Sequence, residues 1–177
     1  ILRIPKSLRK YETDVLIIDD ASSDNTFEII SKFDKKKFPF PLTRLQNFKN
    51  QGYGGNVKVG ITYAIKNKYD VIAFTHSDGQ YPPELIYDYV PFVLNNSYST
   101  LFGSRMYSKV SALKGGMPLY KFFGNIFLTT FQNFFLSTNF SEFHSGFRIY
   151  SIDSIKKVPF ELASNYFDFD TDVTLQF

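Results

Sequence analysis

A chain of 177 residues with 44% hydrophobic and 21% charged residues has the size and make-up of one folded domain with a substantial core, which excludes a disordered chain. A net charge of +3 argues against a dedicated nucleic-acid binder, and the absence of cysteine excludes a disulfide framework or a thiolate metal site. Two histidines, His76 and His144, are too few for a histidine-rich zinc centre, so any metal is expected to be a hard cation held by oxygen.

Ile1 to Lys10 is basic and lacks a capped helix start, no signal-peptide pattern opens the chain, and Phe177 falls inside a helical pattern. Both ends therefore read as cut. Asp14-Val15-Leu16-Ile17-Ile18 has the continuous apolar character of a central parallel strand. Asp19 to Thr26 is an Asp/Ser/Asn loop, and Phe27, Ile30 and Phe33 follow at helical spacing. Lys35, Lys36 and Lys37 read as a solvated helix end.

Leu42 to Leu45 is a weak strand. Asn50 to Asn56 is a glycine-rich turn into a helix whose buried stripe is Val57, Ile61, Ala64 and Ile65. Val71 to Thr75 is the next apolar strand. It runs into His76-Ser77-Asp78-Gly79-Gln80, a turn offering an imidazole, a carboxylate and an amide oxygen at alternate positions. Leu85 to Leu94 is helical, with Pro91 expected to kink or end it. Thr100 to Gly103 is a strand closed by Ser104-Arg105, and Met106 to Met117 reads as a loop.

The aromatic content is unusual, with 21 Phe and 12 Tyr but no Trp. Much of it lies in a helix from about Pro118 to Leu136. This helix reads as amphipathic or buried, because Asn125, Thr129, Thr130, Gln132 and Asn133 interrupt it; an aromatic excess on one face could instead meet a membrane. Gly146 to Tyr150 is a last strand, followed by short helices from Ser151 and from Asp170. The alternation predicts a single α/β domain with a mostly parallel sheet. The loops at Asp19-Asp20, Asp78 and Arg105 follow strand ends and should converge.

Each polar cluster has a plain reading beside a chemical one. Gly52-Tyr53-Gly54-Gly55 fails the dinucleotide pattern, because position 57 is Val57, and it serves equally as a structural turn or a phosphate-accepting helix start. Two acids at one strand end exceed what a helix cap needs, so Asp20 is assigned to a base or ribose and Asp24 to capping. Asp78 and Gln80 suit a Mg²⁺ or Mn²⁺ ion on a diphosphate; His76 is a ligand, an outer donor or a sheet-edge partner. Arg105 suits phosphate recognition or is a surface arginine. Glu142 to Arg148 offers a general base and an anion clamp, or a polar loop with an internal ion pair.

Taken in order, these segments resemble family 2 glycosyltransferases of the GT-A fold, a three-layer sandwich. The bacterial branch similar to dolichyl-phosphate mannose synthase is nearest. Asp19 to Thr26 resembles the family's nucleotide-binding DDGSxDxT segment, Asn50 to Gly54 its N-x-G-x-G turn, and His76 to Gln80 its D-x-D-x-Q metal motif. Gly103-Ser104-Arg105 resembles its GSR, Ser141 to Arg148 its acidic loop ending in SGFR, and Phe167 to Asp170 its aromatic-acid motif. His76 replaces the first metal-motif acid, and the opening strand with P-x-x-N-E is missing, because Ile4-Pro5 lies too close to Asp19.

The resemblance implies inverting transfer from a nucleotide-diphospho-sugar, assisted by Mg²⁺ or Mn²⁺, to a polyprenyl phosphate or a saccharide. The site is expected in the cytoplasm, at the inner face of a membrane. Asp19, Asp20, Gly52, Ser77, Asp78 and Arg105 would bind the donor; Asp78, Gln80 and His76 the metal. Glu142 would act as base for an alcohol and as an orienting group for a phosphate. Arg148, Lys114 and Lys121 would hold the acceptor. The alternatives are a non-catalytic nucleotide-sugar-binding domain and, less favoured by the motifs, a nucleotidyltransferase.

Overall fold

The computed structural model describes residues 2–34, 38–79 and 81–177, and of residues 111 and 114 the backbone only. The sequence readings of Lys35 to Lys37 and of Gln80 therefore fall outside the described residues, as does the Lys114 side chain.

Five strands form among the described residues: β1 (Val15–Asp19), β2 (Leu42–Gln46), β3 (Val71–Phe74), β4 (Thr100–Phe102) and β5 (Arg148–Ser151). The helices are α1 (Thr26–Lys32), α2 (Gly52–Lys66), α3 (Ile86–Leu94), α4 (Lys109–Lys114), α5 (Leu119–Leu136), α6 (Ile152–Ile155) and α7 (Phe169–Thr174). β1 and β2 pair in parallel, Val15 beside Leu42 and Asp19 beside Gln46. β5 lies between β3 and β4 and runs antiparallel to both, with Phe74 and Phe102 each opposite Arg148.

The strands separate two cores by simple alternation. Along β3, Val71 and Ala73 join one cluster and Ile72 and Phe74 the other. Along β5, Ile149 and Tyr150, both fully buried, divide the same way. The first cluster holds Leu8, Phe40, Val90 and Val93, so α3 and the N-terminal turn cover that side. The second holds Ile61, Ile155, Phe169 and Val173, from α2, α6 and α7. Helices thus lie on both faces of the strands, as an α/β sandwich requires, and each such buried side chain contributes about 1.5–3 kcal/mol.

Three details differ from the sequence reading. The last strand is antiparallel, because the chain enters β5 from the strand end where β3 and β4 finish. Of the two effects expected of Pro91, ending α3 does not occur; the helix continues to Leu94, and the Asn95 N–H donates to the Pro91 carbonyl. The segment read as a loop from Met106 carries α4, whose Ala112 packs with Met106 and Phe122 of α5.

β1 and β3 are not paired with each other, yet α2 covers both. A Cβ on Gly60 would lie 3.0 Å from the Phe74 ring and 3.6 Å from Ile18.

Candidate active site

The acidic loop after β1 is tied down by its own carboxylates. Asp19 is buried and accepts from the Ser22 N–H and hydroxyl and from Gln46 Nε2. Asp20 Oδ1 accepts from Asn47 Nδ2 at 2.7 Å and from the Gln51 N–H at 2.8 Å. Asp19 thus closes the turn, while Asp20 fastens it to the start of α2. Gly52 has φ +78°, and a Cβ there would meet the Asn165 carbonyl at 2.5 Å. The absence of a side chain at Gly52 is required by that backbone approach.

The turn after β3 divides in two. Ser77 and Asp78 are exposed, and Gly79 has φ +76° with nothing within 4 Å of where a Cβ would be. His76 instead packs inward. Its ring sits edge-on to Tyr53 and Tyr81, each at 5.3 Å, with Nε2 at 3.4 Å from the Tyr53 hydroxyl. A Cβ on Gly146 would fall 2.1 Å from that nitrogen. These contacts pack the Nε2 side of the ring against Tyr53 and Gly146. Among the described residues no three His, Asp or Glu side chains gather as a ready cation site.

Beside this turn Arg105 is joined to Glu142. The Glu142 side chain is fully buried, and that of Arg105 is 31% exposed. Oε1 accepts from Arg105 Nε at 3.0 Å, from Nη2 at 2.5 Å and from Asn125 Nδ2 at 3.0 Å; Oε2 accepts from the Arg105 N–H at 2.7 Å. Arg105 also stacks over Tyr81 at 5.5 Å, and its charge interacts with Asp78. A guanidinium gripped by a carboxylate through two of its nitrogens holds its charge in a fixed place and orientation.

Arg148 has a different place from the one its motif suggested. It is buried, donating from Nε to the Ser145 carbonyl, from Nη2 to the Phe143 carbonyl and from Nη1 to the Thr174 hydroxyl. Asp170 Oδ1 lies 3.0 Å from Nε but out of line for a hydrogen bond, so that contact is Coulombic. The acceptor-binding assignment of Arg148 is therefore corrected: the residue locks the 143–147 loop onto α7. Burial raises the Asp170 carboxyl, with Arg148 opposing, and lowers the His144 imidazole, with Glu142 and Asp170 opposing. Tyr53 donates to Asp170 Oδ2 at 2.9 Å, and burial next to that carboxylate pushes its hydroxyl well above the ordinary tyrosine value. Lys121 is exposed in the first turn of α5.

The predicted convergence is thus carried by a chain of contacts. Asp20 meets the α2 start, Tyr53 of α2 meets His76, His76 meets Gly146, and the Gly146 N–H donates to the Tyr81 hydroxyl at 3.0 Å beneath Arg105. Tyr53, Tyr81 and Asn125 were not singled out from sequence. An Asn in the middle of a phenylalanine-rich helix was the one available signal.

These features describe an α/β domain with acidic loops and a clamped arginine at its strand ends. The sequence profile of glycosyl transferase family 2 matches residues 1–158, and the chain belongs to that family, as a glycosyltransferase. An uncharacterized protein of Methanocaldococcus jannaschii is 29% identical, over 90% of this chain and 69% of its own length. The UDP-N-acetylglucosamine–dolichyl-phosphate N-acetylglucosaminyltransferase of Methanococcus voltae is 25% identical, over 95% and 70%. The undecaprenyl-phosphate mannosyltransferase of Micrococcus luteus is 24% identical, over 93% and 66%. These relatives come from archaea as well as a bacterium, a wider spread than the bacterial branch expected.

Proposed function

We propose that the chain transfers a sugar from a nucleotide-diphospho-sugar to a polyprenyl phosphate, inverting the anomeric carbon. The carrying observation is the state of Glu142. Both its oxygens are occupied by Arg105 and Asn125, and the side chain is fully buried, so it is poorly placed to accept a proton. A hydroxyl acceptor needs a base; a phosphate acceptor is already anionic near neutral pH and needs none. The acceptors in the names of the Methanococcus and Micrococcus relatives have this chemistry.

In this reading a phosphate oxygen attacks the anomeric carbon as the bond from that carbon to the donor diphosphate breaks, and the nucleoside diphosphate leaves. Asp20 and the α2 start form the nucleoside side. Ser77 and Asp78 face the diphosphate, and Arg105, aimed by Glu142, meets its charge. The open turn at Gly79 and the exposed Asp78 fit a Mg²⁺ or Mn²⁺ ion, since a phosphate-bound cation needs only one or two protein carboxylates. Bound there, such an ion would neutralise charge on the leaving diphosphate.

The test is a screen of nucleotide-sugars with Mn²⁺, reading released nucleotide with polyprenyl phosphate and with saccharide acceptors. Release should depend on the lipid phosphate, and Glu142→Gln should slow it about 10–100-fold at every pH, as expected for a lost charged contact. Faster turnover on a saccharide, with Glu142→Gln removing one limb of the pH profile, would overturn the reading.

A further inference from the structure

Helix α5 is inside out. By its 3.6-residue period, Tyr120, Phe123, Phe127, Phe131, Phe134 and Phe135 share one face, and Asn125, Thr129, Gln132 and Asn133 share the other. A helix of a water-soluble domain buries the first kind of face and solvates the second. Here Phe123, Phe127 and Phe134 are 64%, 69% and 79% exposed. The polar face turns in and is used: Asn125 donates to Glu142, Thr129 to Asn125, and Asn133 to the Phe140 carbonyl. The orientation is therefore held by specific hydrogen bonds. Helix α4 packs alongside and adds exposed Val110 and Leu113, with Tyr107 just before it.

The charged residues that α4 and α5 themselves carry have one sign. From Tyr89 to Ser141 the sequence contains Arg105, Lys109, Lys114 and Lys121 and no aspartate or glutamate. Lys109 and Lys121, at the starts of α4 and α5, are exposed. Aromatic side chains with a cationic rim match the boundary between anionic headgroups and acyl chains. The polar inner face and the length of 18 residues suit a helix lying in that boundary; among the described residues no helix is long and apolar enough to cross a membrane.

We infer that the α4–α5 face docks onto an anionic lipid bilayer, with α5 in the plane of the interface. The inference rests on the polyprenyl-phosphate reading and deepens it. The same helix that meets lipid on one side holds Glu142, and through it Arg105, on the other. An acceptor phosphate can reach the sugar of a donor held by the arginine while its isoprenoid chain stays in the bilayer.

Because the chain has no tryptophan, Phe127→Trp supplies a single reporter. Its emission should blue-shift and be quenched by brominated acyl chains, and the protein should co-sediment with vesicles of phosphatidylglycerol and phosphatidylcholine. Binding should be weaker on phosphatidylcholine alone and in high salt. Lys109→Glu with Lys121→Glu should weaken it about fivefold or more per lysine. Phe123→Ser/Phe131→Ser/Phe134→Ser, checked for native circular dichroism, should bind at least tenfold more weakly yet keep turnover on a short, water-soluble isoprenyl phosphate. No blue shift on anionic vesicles with folded protein would overturn the docking. So would an indole reporter already buried without lipid in a concentration-dependent dimer, which would assign the face to a second copy. Vesicle binding without turnover of any isoprenyl phosphate would leave the docking standing and sink the acceptor reading instead.

Discussion

His76 and Gly146 interlock: the imidazole Nε2 occupies the space a side chain at position 146 would need, with 2.1 Å between that nitrogen and an added Cβ. The turn after β3 and the loop before β5 are held in register by this contact. Gly146→Ala should therefore push the ring off Tyr53 and Tyr81 and destabilise the fold by about 1–3 kcal/mol, the usual cost of overpacking. His76→Ala in the same chain should recover part of that loss, so the two changes should be non-additive in urea denaturation.

The same geometry gives His76 and Asp78 different surroundings, the first packed against Tyr53 and Tyr81 and the second exposed. On the proposed function, Asp78→Asn should abolish the Mn²⁺ dependence of nucleotide release and lower turnover about 100-fold or more, as for removal of a charge-stabilising group. His76→Asn should leave the apparent Mn²⁺ affinity unchanged while reducing stability. Titrating Mn²⁺ against turnover of the two variants distinguishes the roles.

The buried pair Arg148–Asp170 should carry a large stability effect. Removing one partner, as in Asp170→Leu, leaves an uncompensated guanidinium in the interior and should cost about 3–5 kcal/mol. Arg148→Met together with Asp170→Leu should recover much of it. Denaturant midpoints of the two singles and the double give the comparison.

His144 predicts an acid-sensitive fold. Burial holds its folded-state pKa below the ordinary value of 6.5, so the unfolded chain takes the proton first. Stability is then fully present above about pH 6.5 and is lost as pH falls towards the folded-state value. His144→Gln should flatten this limb, so its urea midpoint should drop less between about pH 7.5 and about pH 5.5 than that of the parent chain.

Hydrogen exchange should rank the strands. β5 is paired on both sides and buried at all four residues, whereas among the described residues β1 and β3 each pair on one side only. Amides of β5 should exchange slowest, and those on the unpaired edges of β1 and β3 faster. A strand seated between β1 and β3, under α2, should protect those edges.

The apolar strands from Val15 and Val71 were legible because continuous apolar runs, each opened by an aspartate, permit little else. The direction of β5 was not, since a strand buried on both faces has the same pattern in either orientation. Helix α4 was hidden because Gly115-Gly116 and short length mask its period, although Ala112 and Phe122 hold it in place. The placement of Asp78 in an open turn followed from local sequence. The burial of Arg148 did not, because its partner Asp170 and the Thr174 hydroxyl reach it only once α7 has docked. For His76 the residue type suggested a ligand, and only the facing glycine shows a packing role.

Gly54, in the first turn of α2, has a temporal consequence. A Cβ there would strike the Ser164 carbonyl at 2.4 Å, and Lys58 of the same helix reaches Asn165, a separation of 107 residues. The start of α2, and with it the anchor for Asp20, is completed only by chain synthesised much later. During translation the start of α2 must therefore wait for the segment after Ala163, which on the proposed function makes donor binding a late event in folding and an exposed stretch such as Asn165-Tyr166-Phe167 the place where a single protease cut would undo it.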